Sequence, residues 1–180
     1  MNPYPYFILS LCLLPYPFFL LAAEQPNIIY ILADDMGYGD VAANNPNCKF
    51  PTPFLDQLAE EGMRFSDAHT NSSVCTPTRY GILTGRYSWR TRLKGGVLDG
   101  AAGPLIASDR TTVATFLKKQ GYNTACVGKW HLGMSWPTKD GKKPVRSRGD
   151  NIDFTQPITN GPNDVGFDYY YGISASLNMP

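Results

Sequence analysis

The 180-residue sequence predicts an α/β fold with a largely parallel central sheet flanked by helices. Three observations carry that prediction. An apolar, β-branched run from Ile28 to Ala33 stops at Asp34-Asp35, as a strand buried on both faces of a parallel sheet would. Two later stretches read helix, then glycine, then strand, the order expected of crossover connections. The 17 Gly and 15 Pro supply the many loops that a site-bearing α/β protein needs.

The first 23 residues stand apart from this pattern. Tyr6 to Ala23 is almost wholly apolar and ends Leu20-Leu21-Ala22-Ala23, small residues suited to signal-peptidase cleavage before Glu24. No Lys or Arg precedes Lys49, and Pro15 and Pro17 interrupt the run, which argues against a stable transmembrane helix. The expectation is a signal peptide at 1–23, export of residues 24–180, and no stable membrane insertion after cleavage.

The first helix is expected in "PTPFLDQLAEEG", with Thr52 as N-cap, Pro53 in the first turn and Gly62 as the stop. Phe54, Leu55, Leu58 and Ala59 form its apolar stripe. Met63 to Ala68 would be a strand. The pattern returns with Val113, Phe116 and Leu117 at helical spacing, Gly121 as the stop, and a strand over Thr124 to Val127. Trp136 to Asn163 reads as a long polar surface loop, and "VGFDYYYGISAS" opens a further element.

Composition removes some classes of function. A hydrophobic share of 43% with 17% charged residues is that of a globular chain. The net charge of +1 gives no footprint for nucleic acid or an anionic membrane. Beyond the signal, Cys48, Cys75 and Cys126 remain, an odd number, so one is free, intermolecular or modified. Cys126, inside "TACVG", reads as a core thiol.

Three places carry candidate chemistry. Asp34 and Asp35 are adjacent carboxylates leaving a strand, either a solvated turn or part of the oxygen shell of a hard divalent ion. Lys129 and His131 flank Trp130 in "GKWHLG". In an extended segment both would point to one side, toward an anion, or they would be an exposed Lys and a hydrogen-bonded His. Cys75 precedes Thr76-Pro77-Thr78-Arg79 at a predicted helix N-terminus, where N–H groups and the Arg79 fork attract anions. Its thiol could be a nucleophile, a metal ligand, a disulfide partner of Cys48, or a residue destined for conversion. His69 is expected to be structural. Asn71-Ser72-Ser73 has the form of a glycosylation sequon, but it stands four residues before Cys75, which favours chance.

Taken together, "PNIIYILADDMGYGD", "CTPTRYGILTGR" and "VGKWHLG" occur in the order found in type I sulfatases, and the chain resembles the arylsulfatase-like N-terminal part of that family, within the alkaline-phosphatase superfamily. The resemblance runs from about Pro26 to Met179. It implies that Cys75 is oxidised to formylglycine (3-oxoalanine) by a formylglycine-generating enzyme. The hydrated aldehyde would attack a sulfate ester, aryl or carbohydrate, and its second hydroxyl would expel sulfate as the aldehyde re-forms. Asp34 and Asp35, with the modified Cys75, would contact Ca²⁺ or Mg²⁺. Arg79 would hold the attacking hydroxyl, Lys129 the sulfate oxygens, and His131 would assist deprotonation of the diol. Thr76, Pro77, Thr78 and Gly85 would serve as signals for the modifying enzyme and the helix start.

Family members are much longer, and their later part supplies further Asp/Asn ligands with a second His and Lys. Residues 24–180 are therefore expected to be a truncated catalytic domain, inactive and poorly folded alone. Other readings stay open: a formylglycine-dependent phosphonate or phosphodiester hydrolase, a hydrolase using unmodified Cys75 with His131, or a non-catalytic remnant that binds sulfated glycans.

Overall fold

The computed structural model describes residues 25–146, 149–176 and 179, so the expected signal peptide lies outside the described residues. The chain divides into two units, residues 1–32 and 33–180. Described residues 25–32 of the first take no regular structure, and Ile29 and Ile31 are 84% and 80% exposed. The strand expected at Ile28–Ala33 is therefore absent. β-Branched residues favour extended backbone, but a strand needs a second backbone to answer its N–H and C=O groups, and this run joins no ladder.

The second unit holds three α-helices and a two-stranded sheet among its described residues. Helix α1 spans Pro53–Glu61 between Thr52 and Gly62, as expected. The Thr52 hydroxyl, however, accepts from Ala42 N and donates to Asp56 instead of capping the helix. Its apolar stripe is not buried: Phe54 and Leu58 are exposed, because no described element packs over them. The strand expected at Met63–Ala68 is also missing, and Met63 and Phe65 are exposed.

Helix α2 spans Cys75–Thr84 and ends on Gly85, which takes φ +65° and donates its N–H to the Gly81 carbonyl. Helix α3 spans Val113–Lys119 and starts in a reciprocal cap. Thr112 Oγ1 accepts from Thr115 N, and Thr115 Oγ1 accepts from Thr112 N. Strand β1, Ala125–Val127, follows Gly121 as anticipated and pairs in parallel with β2, Tyr169–Tyr171, in the register Ala125 to Tyr169. The pairing runs on past β1: Gly128 N, Trp130 N and His131 N donate to Tyr171, Ile173 and Ser174 carbonyls.

Among the described residues between the strands there is no α-helical crossover, only a 3₁₀ turn at Asn163–Val165. The chain folds back through antiparallel bridges at Ser135–Thr159 and Thr138–Ile152, and Ile152 is fully buried, so the expected surface loop has an inward anchor. The core joins α2 to this region through Tyr80, Leu98, Leu105, Ile106, Trp130, Leu132, Met134 and Val165. Trp130 meets Phe167 edge-on at 6.5 Å and donates its indole N–H to Gly133 O at 3.0 Å. Cys126 packs at the edge of this core, and burial pushes its thiol pKa up.

Gly133 shows how tightly the core loops meet. It sits at φ +74°, and a Cβ there would fall 2.0 Å from the Gly103 carbonyl oxygen. Gly133→Ala is expected to cost roughly 2 kcal/mol or more, read from the urea midpoint. Gly95→Ala, where a Cβ meets nothing within 4 Å, should stay within about 0.5 kcal/mol of the parent. Equal costs for the two substitutions would contradict this account.

Candidate active site

Cys75 is the first residue of α2, half-exposed, and free, as are Cys48 and Cys126. The disulfide alternative is thus not formed. Cys48 Sγ instead lies 3.1 Å from Phe50 O. Val74 in extended conformation precedes Cys75, and no side chain caps the helix, so its first N–H groups are left for other partners. Arg79 stands four residues on, on the same helical face one turn away.

The Arg79 guanidinium reaches Asp34 Oδ2 at 2.7 Å and also donates to the Lys129 carbonyl. Lys129 Nζ reaches the same Asp34 oxygen at 2.8 Å. All three side chains are largely covered, at 14%, 11% and 19% exposure for Arg79, Asp34 and Lys129. Burial alone would raise the Asp34 pKa. Hydrogen bonds from Asp35, Lys129 and Arg79 overcome it and hold the carboxyl well below the usual carboxylate range. Asp35 shifts the other way, raised first by its hydrogen bond with Asp34, then by desolvation and by that neighbour's charge.

His131 is 1% exposed and takes the left-handed conformation, φ +53°. That turn breaks the alternation expected of an extended segment: Lys129 points to Asp34, while Trp130 and His131 are both buried. His131 Nε2 lies 2.9 Å from Leu98 O, and Nδ1 has no partner among the described residues. Burial pushes its pKa down, with the Lys129 and Arg79 charges adding to the effect, so the ring is neutral at pH 7. His69 is elsewhere, exposed and paired with Asp67 at 2.7 Å. Asn71 packs onto α2, where a Cβ at Gly81 would fall 2.1 Å from its Cγ, so the sequon side chain is occupied.

A hard divalent cation takes about six to eight oxygen ligands. The donor set here fits such an ion in part. Asp34 and Asp35 stand close enough to share a hydrogen bond, a proton's place that a metal can take. No group of three or more His, Cys, Asp or Glu converges among the described residues, and Cys75 makes no hydrogen bond to either aspartate there. Sequence reasoning missed Leu98, whose carbonyl holds His131. A backbone acceptor leaves no mark in residue type. It also assigned Thr76 only a recognition role, whereas its buried hydroxyl accepts from Leu98 N.

Helices and a parallel strand pair define an α/β protein, with two cations gathered past the strand's carboxyl end beside a helix N-terminus. The sulfatase family model matches residues 26–179, and the chain belongs to the sulfatase family. It is 39% identical over 156 residues to N-acetylgalactosamine-6-O-sulfatase of Bacteroides thetaiotaomicron, covering 87% of this chain and 28% of that protein. Arylsulfatase G of Mus musculus is 41% identical over 157 residues, again across 87% of this chain and 25% of its own. A solved structure from work on glycosaminoglycan metabolism by Bacteroides thetaiotaomicron superposes with TM-score 0.73 at 39% identity, covering 87% of this chain and 30% of that one. The PsFucS1 sulfatase from Pseudoalteromonas sp. gives 0.56 at 30% identity, covering 80% and 25%. The neighbours share the alkaline-phosphatase-like fold, of which this chain holds an incomplete α/β part. The chain spans about a quarter of the length of these relatives.

The His131 shift fixes a pH dependence. Its folded pKa lies below the ordinary 6.5, so its contribution to stability is complete above that pH and drains as pH falls toward the lowered value. His131→Gln is expected to flatten the fall in unfolding free energy as pH drops below about 6.5, measured by urea titration at each pH. A parent and variant with the same slope would show that His131 is not held neutral.

Proposed function

We propose that this chain forms the nucleophile-bearing part of a sulfuric ester hydrolase acting through formylglycine at position 75. The observation that carries the reading is the Asp34–Arg79–Lys129 cluster set one helical turn from Cys75. Membership of the sulfatase family supports the reaction class. When present, the hydrated aldehyde supplies one hydroxyl for attack on sulfur and a second for release of sulfate. A bound Ca²⁺ or Mg²⁺, held in part by Asp34 and Asp35, supplies Lewis-acid polarisation.

The chain's own residues do the rest. Arg79 and Lys129 hold an anionic group against the α2 N-terminus, and their charges oppose the negative charge that grows on the sulfate oxygens. Asp34 keeps both cations in place and prevents their mutual repulsion. His131, neutral at pH 7, offers Nδ1 as a proton acceptor beside them. Residues 1–23 direct export, which brings Cys75 to the modifying enzyme. Alone, residues 24–180 lack the further ligands and the acid for the leaving alcohol, so we expect no turnover from them. The relatives named above as sulfatases of N-acetylgalactosamine 6-sulfate and of aryl esters make carbohydrate and aryl sulfates the substrate classes to assay first.

The decisive measurement is the mass of the tryptic peptide Phe65–Arg79 after expression of the full chain with a formylglycine-generating enzyme. The expected result is conversion of CH₂SH to CHO at Cys75, lost in Pro77→Ala and, read on the longer peptide that then ends at Arg86, in Arg79→Ala. An intact, alkylatable thiol would sink the formylglycine reading and return Cys75 to the thiol nucleophiles.

A further inference from the structure

Two buried polar atoms in the site have no hydrogen-bond partner among the described residues, Arg79 Nε and His131 Nδ1. The histidine atom is informative because its sister nitrogen is committed. Nε2 lies 2.9 Å from the Leu98 carbonyl oxygen, and a carbonyl only accepts, so Nε2 carries the proton. A neutral ring then presents Nδ1 as a bare acceptor.

Leu98 belongs to no helix or strand that would fix its backbone. Its N–H donates to Thr76 Oγ1 at 3.2 Å, within the buried interior. Thr76 is 0% exposed, is the second residue of α2, and directly follows Cys75. Leu98 is therefore held on both sides of its Cα: its N–H by the helix that carries Cys75, its C=O against His131. Thr76 and His131 are far apart in sequence, and one residue joins them through its two flanking peptide groups.

We propose that Thr76 is a positioning residue for His131, anchoring the Leu98 backbone so that the Leu98 carbonyl locks the ring in the Nε2–H tautomer with Nδ1 free. The hydroxyl does this from the same helical turn as Cys75, so the acceptor and the position it serves are set by one element. Without that hydroxyl the backbone around Leu98 can turn about its φ and ψ, and the ring loses the acceptor that selects its tautomer. The Nδ1–H form then becomes populated and places a proton where an acceptor is needed. The catalytic meaning rests on the sulfatase reading; the tautomer itself is a property of the folded chain.

The chain has two histidines, which makes the test direct. In the full chain labelled with ¹⁵N-histidine, long-range ¹⁵N–¹H correlation reports the tautomer of each ring, with exposed His69 as the internal reference. In the parent, His131 should show one Nε2–H tautomer, with a slowly exchanging Nε2 proton and Nδ1 at the shift of an unprotonated nitrogen. In Thr76→Val the two nitrogen shifts should move toward each other and the Nε2 proton should exchange rapidly. Thr76→Ser, which keeps the hydroxyl, should restore the parent pattern. An unchanged pure tautomer in folded Thr76→Val, or a mixture in the parent, overturns the proposal. Should Thr76→Val unfold, Thr76→Ser decides, since loss of the Nε2–H tautomer there overturns it as well. Failure to hydrolyse sulfate esters would leave this result untouched, so the two readings fail separately.

Discussion

The site depends on one carboxylate oxygen. Asp34 Oδ2 is held by Arg79 from α2 and by Lys129 from the segment after β1, and the side chains are nearly withdrawn from solvent. Two covered cations without a carboxylate between them would repel, and removing one partner of such a buried set typically costs about 3–5 kcal/mol. With Asp34 in place the three groups still sum to one positive charge. That surplus, in poorly hydrated surroundings, is the feature on which the proposed anion site rests. Asp34 therefore has two tasks, holding the cations together and leaving them under-neutralised.

The two cation-bearing segments keep their spacing because both are rooted in the same core. Tyr80, next to Arg79, and Trp130, next to Lys129, are 2% and 3% exposed and belong to one apolar cluster. Close packing leaves such side chains little room to shift, so a movement of α2 relative to the post-β1 segment would be felt in the core first. The Thr76–Leu98–His131 chain adds a polar tie across the same gap. Apolar packing sets the distance, and the hydrogen bonds set the orientation of the acting atoms.

How much of this was legible in the sequence varies with how local the signal is. Helices α1 and α3 with their glycine stops, and the start of α2 at Cys75, follow from spacing and turn residues encoded within a few positions. Gly85, which ends α2 at φ +65°, is marked by the resemblance only as a signal for the modifying enzyme and the helix start. The sheet was less legible. Ile28–Ala33 and Met63–Ala68 have strand composition but no ladder here, because pairing is a property of two segments and composition describes one. In the site, Asp34, Arg79 and Lys129 were singled out by type and do converge. Their common oxygen could not be foreseen, nor could the Leu98 carbonyl. The inward His131 escaped the strand-alternation argument because a single left-handed residue reverses which side the chain presents.

That left-handed residue also shows that the site extends past its motifs. A non-glycine residue at φ +53° carries a cost of order 1–3 kcal/mol unless its surroundings enforce it. Here the enforcement is specific. His131 N–H is taken by Ser174 O, Trp130 N–H by Ile173 O, and the adjoining Leu132 O accepts from Leu105 N. Two of those three acceptors lie just beyond β2, more than forty residues after the histidine they shape. β2 is held in register by its parallel pairing with β1, and its approach by Thr124, which accepts from the Asp168 and Tyr169 N–H groups through its carbonyl. The short sheet therefore does more than frame the fold. By fixing where residues 173 and 174 present their carbonyls, it fixes the backbone turn that carries the His131 ring inward to Leu98. The three-residue strand pair and the imidazole are parts of one construction, and the motif Lys-Trp-His has its geometry only because a distant strand supplies the other half of its hydrogen bonds.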